Sequence, residues 1–218
     1  MAVKLKQKQQ VRYKFRLHHT KGRVKLMCKI IVTTQRLYIR EINEKDRELV
    51  FNLSQESSIM RGVQQDSEYI ALYKQFNWEE ATKPSTYNGM IFLKDSNCFV
   101  GKICMQYIDS PEPELGIDIM NSMQNRGYGP EAIVAFCRYY FELRKIDRVK
   151  VRISRDNKHS IHVFEKLGAQ FVKSTSFVSE NSLSMMRELL PDADLTELSQ
   201  DSVREYILRL SDNAGEEA

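Results

Sequence analysis

Residues 124–131 read Gln-Asn-Arg-Gly-Tyr-Gly-Pro-Glu and form a polar, glycine-rich loop between two regular patterns. Residues 114–120, just before it, alternate apolar and polar types, which predicts a strand. The residues after it repeat apolar positions at helical spacing, which predicts a helix. Gly127 and Gly129 allow the chain to turn tightly and to approach a ligand closely. This part of the chain is therefore predicted to be a strand, a glycine-containing turn and a helix, in that order.

The start of this helix suits an anion. Pro130 and Glu131 are both favourable in a first helical turn. The N–H groups there that lack a helical partner, the helix dipole and the charge of Arg126 all favour a phosphate or pyrophosphate. A glycine-rich helix entrance that binds nothing is the alternative.

The loop matches neither of two common phosphate motifs in full. No G-x-x-x-x-G-K-[ST] stretch occurs in the chain. The dinucleotide fingerprint G-x-G-x-x-G is met only if Ala132 replaces the third glycine, which is a tolerated change. The loop also lies past the middle of the chain and behind a predicted hairpin, whereas the fingerprint opens a first βαβ unit.

Hydrophobic periodicity predicts regular elements along most of the chain on both sides of this loop. The turn residues Asp95-Ser96-Asn97 predict a hairpin, and Pro84 and Pro111 mark breaks. Hairpins mixed with strand-helix-strand crossovers indicate an α/β fold with a mixed sheet. The predicted order is a strand at 36–42, helices at 44–58 and 67–79, strands at 87–93, 98–108 and 114–120, a helix over 130–141, a strand at 147–153, a helix at 157–167, a strand at 169–172, a helix at 181–199 and a strand at 203–210.

Charge is distributed unevenly along the 218 residues, although the net charge is only +4. Residues 1–30 hold ten basic and no acidic side chains, residues 31–191 sum to zero, and residues 192–218 sum to −6. We predict a basic arm or extension at 1–30, one domain at 31–210 and an acidic tail at 211–218. Such an arm is typical of contact with polyanions, so nucleic acid is predicted as a partner only through this segment. A second interpretation takes Met27 as the true start.

Composition excludes several classes of protein. No run of about 18 apolar residues exists, so no membrane partner is predicted. The N-terminus has no apolar core of the kind a secretory signal needs. The four cysteines form no C-x-x-C pair, which argues against a disulfide framework or a zinc site and favours a cytoplasmic location. His159 and His162 lie three residues apart, but no third ligand is evident, so no metal is predicted.

Several motifs occur together in one order. They resemble the Gcn5-related N-acetyltransferase (GNAT) superfamily, and most closely the branch of bacterial ribosomal-protein N-terminal acetyltransferases. The resemblance covers roughly residues 33–176. Its motifs are Thr34 to Arg40 in the first strand, Glu114 to Met120, Q-x-x-G-x-G as Gln124, Gly127 and Gly129, Glu131-Ala132, Tyr139-Tyr140-Phe141, Asn157-x-x-Ser160, and Glu165-Lys166-Leu167-Gly168.

The resemblance implies the GNAT fold, a mixed and mostly antiparallel central sheet flanked by helices. It also implies acetyl-CoA as the co-substrate, without a metal. Asn157 and Ser160 are then placed at the pantetheine or near its sulfur. The other implied cofactor-binding residues are the strand residues Ile117, Asp118, Ile119 and Met120 at the pantetheine arm, and Gln124, Asn125, Arg126, Gly127, Tyr128, Gly129, Pro130 and Glu131 at the pyrophosphate.

The resemblance and the chemistry of acetyl transfer together suggest catalytic roles. An amine must be neutral to attack a thioester, so a nearby carboxylate is expected as general base. Glu114 is the first choice and Asp118, on the same face of the strand, the second. Phe164 stands where many GNAT enzymes have a tyrosine acid, and Ser160 is the proposed substitute. A backbone N–H near Ile119 or Met120 is expected to stabilise the oxyanion.

The predicted function is acetylation of a primary amine by direct attack, a protein or peptide N-terminus being one acceptor considered. Because Phe164 cannot donate a proton, the alternative is a weakly active or inactive CoA-binding protein with a regulatory or interaction role. The side chains that select the acceptor are expected in residues 44–90 and 177–200, where the resemblance is weakest. A homodimer is compatible with the sequence.

Overall fold

The computed structural model describes residues 29–56, 67–176 and 201–210, together with the single helical positions 184 and 188. The predicted arm, up to residue 28, and the predicted tail lie outside the described residues. So does the predicted helix over 181–199, apart from those two positions.

One sheet of eight strands organises the described residues, in the spatial order β1-β2-β3-β4-β5-β6-β8-β7. Every neighbouring pair is antiparallel except β5 and β6, which are parallel. The predicted mixed, mostly antiparallel sheet is therefore confirmed. The strands are β1 (Ile30–Thr33), β2 (Leu37–Glu41), β3 (Thr86–Leu93), β4 (Phe99–Gln106), β5 (Glu114–Ile119), β6 (Val149–Ser154), β7 (Gln170–Thr175) and β8 (Val203–Leu208).

Among the described residues, four α-helices pack on the two faces of the sheet: α1 (Arg47–Gln55), α2 (Ser67–Thr82), α3 (Tyr128–Arg144) and α4 (Lys158–Lys166). Helices α3 and α4 supply apolar side chains to the larger core, such as Phe136 and Phe164. Helices α1 and α2 supply Val50 and Trp78 to a smaller core against β3. Within the described ranges, no helix combines the length and the apolar character needed to cross a membrane.

Strand β1 is the element that the sequence pattern missed. Its residues Ile30-Ile31-Val32 are a continuous apolar run, without the alternation that marks a half-buried strand. It pairs with β2, and Ile31 is 2% exposed. The sheet thus begins at Ile30, the last residue of the predicted arm. Helix α3 also begins two residues before Pro130, because the turn is made at Gly127.

The parallel pair at the middle of the sheet is short. Strands β5 and β6 are in register only at Glu114 opposite Lys150, where Lys150 N–H also donates to Pro113 O at 2.9 Å. Their other edges are fully paired with β4 and β8. Helix α3 lies in the crossover that joins them. Along the rest of β5 the two strands are not paired with each other, so the sheet opens there.

A buried ion pair anchors the start of α1 to β2. The guanidinium of Arg40 donates to both carboxylate oxygens of Asp46 at 2.8 and 2.7 Å, and Asn43 N–H donates to the same carboxylate at 2.8 Å. The Asp46 side chain is 2% exposed, so removing it leaves a largely buried positive charge without its partner.

We expect Asp46→Ala to lower the free energy of unfolding by about 3 kcal/mol, because breaking a buried pair costs far more than breaking an exposed one. Glu44 and Arg47 form an exposed pair one turn away and provide the control. Glu44→Ala should change stability by no more than about 0.5 kcal/mol. Urea denaturation of both variants measures the difference, and equal losses would contradict the anchoring role.

Candidate functional site

A cleft of about 1240 Å³ lies where β5 and β6 separate. The last residues of β5, the loop that follows, the first turn of α3 and one face of α4 line it on one side of the sheet. On the other side it reaches residues of α1 and α2, among them Leu53, Tyr73 and Asn77. The cleft therefore connects both faces of the sheet through the opening between the parallel strands.

Most of the residues predicted at the cofactor meet in this cleft. Four predicted residues, Glu114, Met120, Arg126 and Glu131, do not line it. The predicted residues that do are Ile117, Asp118, Ile119, Gln124, Asn125, Gly127, Tyr128, Gly129, Pro130, Asn157 and Ser160.

The loop before α3 presents backbone N–H groups to the cleft. Gly127, at the N-cap of the helix, has a φ of 77° in the left-handed region, and Asn125 has a φ of 58°. The first helical hydrogen bond runs from Glu131 N–H to Gly127 O at 3.4 Å. The N–H groups of Tyr128 and Gly129 precede it, and Pro130 has none. The helix start can therefore hold an anion with two backbone donors and its dipole.

Side chains brace this loop from two directions. The amide of Gln124 donates to Ile119 O at 3.0 Å and to Asn121 Oδ1 at 3.1 Å, which closes the loop onto the end of β5. From the residue that follows α1, the carboxylate of Glu56 accepts the Asn121 N–H at 2.6 Å. Gln124, implied as a pyrophosphate residue, thus also holds the loop in shape.

The carboxylate of Glu131 points away from the cleft, into contacts with residues before β2. Its Oε1 accepts the Thr34 hydroxyl and the Arg36 N–H, and its Oε2 accepts the Arg36 Nε at 2.7 Å. Burial alone would raise the pKa of Glu131, but the hydrogen bonds from Thr34 and Arg36 outweigh it and hold the pKa below its usual range. Glu131 therefore stays charged and fixes the first turn of α3.

The backbone of β5 corrects one prediction. Met120 N–H donates to Val100 O at 3.0 Å, so this group is already engaged and is not the oxyanion donor. Hydrogen bonds alternate in direction along an antiparallel strand, so the N–H groups of Ile117 and Ile119 face the opening beside β6. Of the two predicted positions for the donor, only Ile119 keeps a suitable direction.

The two candidate bases lie on the same face of β5 in different surroundings. The Glu114 carboxylate accepts the Arg152 Nε at 2.8 Å, and its side chain is 13% exposed. Asp118 lies about 13 Å further along the strand. It lines the cleft, is 64% exposed and has Lys102 Nζ at 3.9 Å. Only Asp118 is thus open to a molecule bound in the cleft.

Helix α4 is capped at its N-terminus and lines the cleft with both polar and apolar side chains. Asn157 Oδ1 accepts the Ser160 N–H at 3.0 Å and so caps the helix, while Ser160 lines the cleft. Phe164, 3% exposed, fills the position one turn later and offers no hydroxyl. The exposed His159 and His162 also line the cleft. Among the residues the structure describes, no three His, Cys, Asp or Glu side chains cluster closely enough to hold a metal ion.

Sequence reasoning missed some lining residues. Lys102 lines the cleft because β4 places it opposite Asp118, and no sequence signal gives that register. Glu56 lines it from the end of α1. The aromatic residues of α2 separate into different roles, since Tyr73 lines the cleft whereas Trp78 is buried in the smaller core.

Solved structures share this fold. A spermidine N-acetyltransferase from Vibrio cholerae in complex with CoA and spermine has a TM-score of 0.58 at 14% identity, over 81% of this chain and 97% of the other. A GNAT-family acetyltransferase from Bacillus anthracis gives 0.57 at 22% identity, over 81% and 95%. A candidate ribosomal-protein-serine acetyltransferase from Vibrio cholerae gives 0.56 at 21% identity, over 83% and 97%.

Sequence comparison gives the family directly. The uncharacterised N-acetyltransferase YnaD of Bacillus subtilis is 28% identical over 142 residues, which are 63% of this chain and 81% of that protein. The acetyltransferase (GNAT) domain profile matches residues 36–170, well over half of the chain. The protein therefore belongs to the GNAT family of acetyl-CoA-dependent N-acetyltransferases.

Proposed function

We propose that the cleft binds acetyl-CoA with its pyrophosphate at residues 124–129 and its pantetheine arm along β5. The observation that carries this proposal is the opening between β5 and β6, directly beside the start of α3. There, the N–H groups of Ile117 and Ile119 face a space that an extended, amide-containing chain can fill. The N–H groups of Tyr128 and Gly129 supply donors for the pyrophosphate.

The acceptor amine then enters from the opposite face of the sheet, between β5 and the helices α1 and α2. Asp118 and Glu56 place two carboxylates on that side, against the Lys102 ammonium 3.9 Å from Asp118. The excess of negative charge among these three side chains favours a cationic amine. The acceptor we propose is a protein or peptide N-terminus. An α-amine has a pKa of about 8 against about 10.4 for lysine, so a larger fraction of it is neutral at pH 7. The V. cholerae neighbour with bound spermine makes polyamines the acceptor to test beside it.

The chemistry proceeds by direct attack. The neutral amine nitrogen attacks the thioester carbonyl carbon, and the resulting oxyanion lies within reach of the Ile119 N–H. The C–S bond then breaks, the amine proton passes to a carboxylate, and the CoA thiolate takes up a proton. The sequence ranks Glu114 first as base. The geometry favours Asp118, because Glu114 is paired with Arg152 and would need water to relay the proton.

A second function is favoured by one observation. Phe164 occupies the position of the tyrosine acid found in many relatives, and it is buried without a hydroxyl. A protein that binds CoA but turns it over slowly, with a regulatory or interaction role, would fit this substitution. Ser160 is the side chain proposed to replace the tyrosine.

Release of free CoA thiol separates the two functions. We expect the full chain with acetyl-CoA to release thiol faster when peptides with free N-termini, or spermine, are added. N-terminally blocked peptides without lysine are the matched control, since they offer no amine. CoA binding without amine-dependent thiol release over the whole panel would favour the second function.

The two candidate bases can be distinguished by isosteric variants. We expect Asp118→Asn to lower kcat/KM for the amine by about a hundredfold at pH 7, with a smaller loss at higher pH, where more of the amine is already neutral. Glu114→Gln, which keeps the shape near Arg152, should have a much weaker effect. The reverse order of losses would restore Glu114 as the base.

The role of Ser160 is tested by removing its hydroxyl. Ser160→Ala should lower kcat by about tenfold, a modest loss because a thiolate of pKa about 8.5 is a fair leaving group. CoA affinity should remain close to that of the wild type, because the Asn157 cap uses the backbone N–H and not the hydroxyl. An unchanged kcat would remove Ser160 from the mechanism.

A further inference from the structure

The side chain of Arg36 reaches the cofactor loop from a distant part of the sequence. It lies between β1 and β2, outside the cleft lining, yet its Nη1 donates to Arg126 O at 2.9 Å. Its Nε and Nη2 lie 2.7 and 2.6 Å from Glu131 Oε2. Its guanidinium also covers the ring of Tyr128, with the Cζ atom 4.9 Å from the ring centroid. One side chain thus contacts three residues of the loop and first turn.

The loop needs such support because two of its residues have backbone angles that are uncommon in proteins. Asn125 and Gly127 both have left-handed φ angles, which are strained for asparagine, and Arg126 lies between them. The Arg126 carbonyl is the acceptor that Arg36 holds. Strained conformations persist when the surrounding structure fixes them, and here the fixing contact comes from outside the loop.

Arg36 is itself held in place. The turn that carries it is closed by Thr34 N–H to Leu37 O at 2.9 Å and by Leu37 N–H to the Thr34 hydroxyl at 2.9 Å. Arg36 O accepts the Lys94 N–H at 2.9 Å, which ties the turn to the hairpin of β3 and β4. The backbone that carries the side chain is therefore fixed, and the planar guanidinium directs its donors at Glu131 and the Arg126 carbonyl.

We propose that Arg36 is a positioning residue for the cofactor: with Glu131 it preorganises residues 125–129 to receive the CoA pyrophosphate. The proposal rests on the function proposed above, in which this loop holds that group. Arg36 does not touch the phosphates; it acts through the Arg126 carbonyl, the Tyr128 ring and the first turn of α3. Arg36 is thus expected to raise the binding affinity only for ligands that carry the pyrophosphate.

The test compares CoA with pantetheine, which lacks the ADP portion, by isothermal titration calorimetry on the full chain. We expect Arg36→Met and Glu131→Gln each to weaken CoA binding by about tenfold or more, as for loss of a charge-assisted contact. Pantetheine binding, and kcat/KM with acetyl-pantetheine as donor, should stay within about twofold. Glu131→Gln changes a single terminal group, so it keeps the test decisive if Arg36→Met does not fold.

Two further variants sharpen the result. Arg36→Lys keeps the charge without the fork, so CoA binding should remain impaired; recovery to wild-type affinity would mean that charge alone suffices and would overturn the positioning role. Arg148 and Glu112 form a partly exposed pair at 3.0 Å away from the cleft, and Arg148→Met should leave CoA affinity unchanged. If Arg148→Met lost as much CoA affinity as Arg36→Met, the loss in Arg36→Met would reflect general destabilisation, and the positioning role would be overturned.

The outcomes also separate the two proposals. If the wild type binds CoA more tightly than pantetheine while Arg36→Met and Glu131→Gln bind CoA equally well, only the positioning role is overturned. A parallel loss of pantetheine binding in both variants would likewise overturn it. If the wild type binds CoA no better than pantetheine, the proposed pyrophosphate site itself fails, and the role of Arg36 fails with it.

Discussion

The short parallel pairing of β5 and β6 is the constraint on which the site depends. A parallel pair needs a crossover connection, and here that connection contains α3. The two strands are in register at one position only, which leaves the backbone of β5 facing an opening in the sheet. The same crossover brings the start of α3 to the edge of that opening. The exposed backbone of β5 and the anion-binding turn before α3 thus both belong to the connection between β5 and β6.

Two separate hydrophobic cores, one on each face of the sheet, flank this opening. The larger core holds α3 and α4 on one face, and the smaller one holds α1 and α2 on the other. Each half of the cleft is therefore attached to its own packed layer, and the ion pair of Arg40 with Asp46 fixes α1 to β2. The larger core also spans the two separating strands, since it contains Leu115 of β5 and both Val149 and Val151 of β6.

Much of this was predictable from local pattern. The loop at 124–131, helix α3 and the hairpin of β3 and β4 carry their own signals of periodicity and turn chemistry. Strand β1 carried no such signal, since a run of three apolar residues has no diagnostic period. The ranking of Glu114 against Asp118 depends on burial, since Glu114 is held close to Arg152 in a largely buried pair whereas Asp118 stays exposed beside Lys102. The place of Lys102 in the cleft depends on strand register. Such facts arise from pairing between distant segments, which a single sequence does not display.

The contact between Arg36 and Glu131 has a consequence for how the protein folds. These residues are 95 positions apart, so their meeting closes a long stretch of chain and requires the first strands to be in place beside α3. We expect the anion-binding turn to acquire its final shape late, after the sheet has assembled. A cofactor that binds only that shape would then stabilise the whole assembled sheet by mass action, so the folded fraction would depend on the concentration of the cofactor.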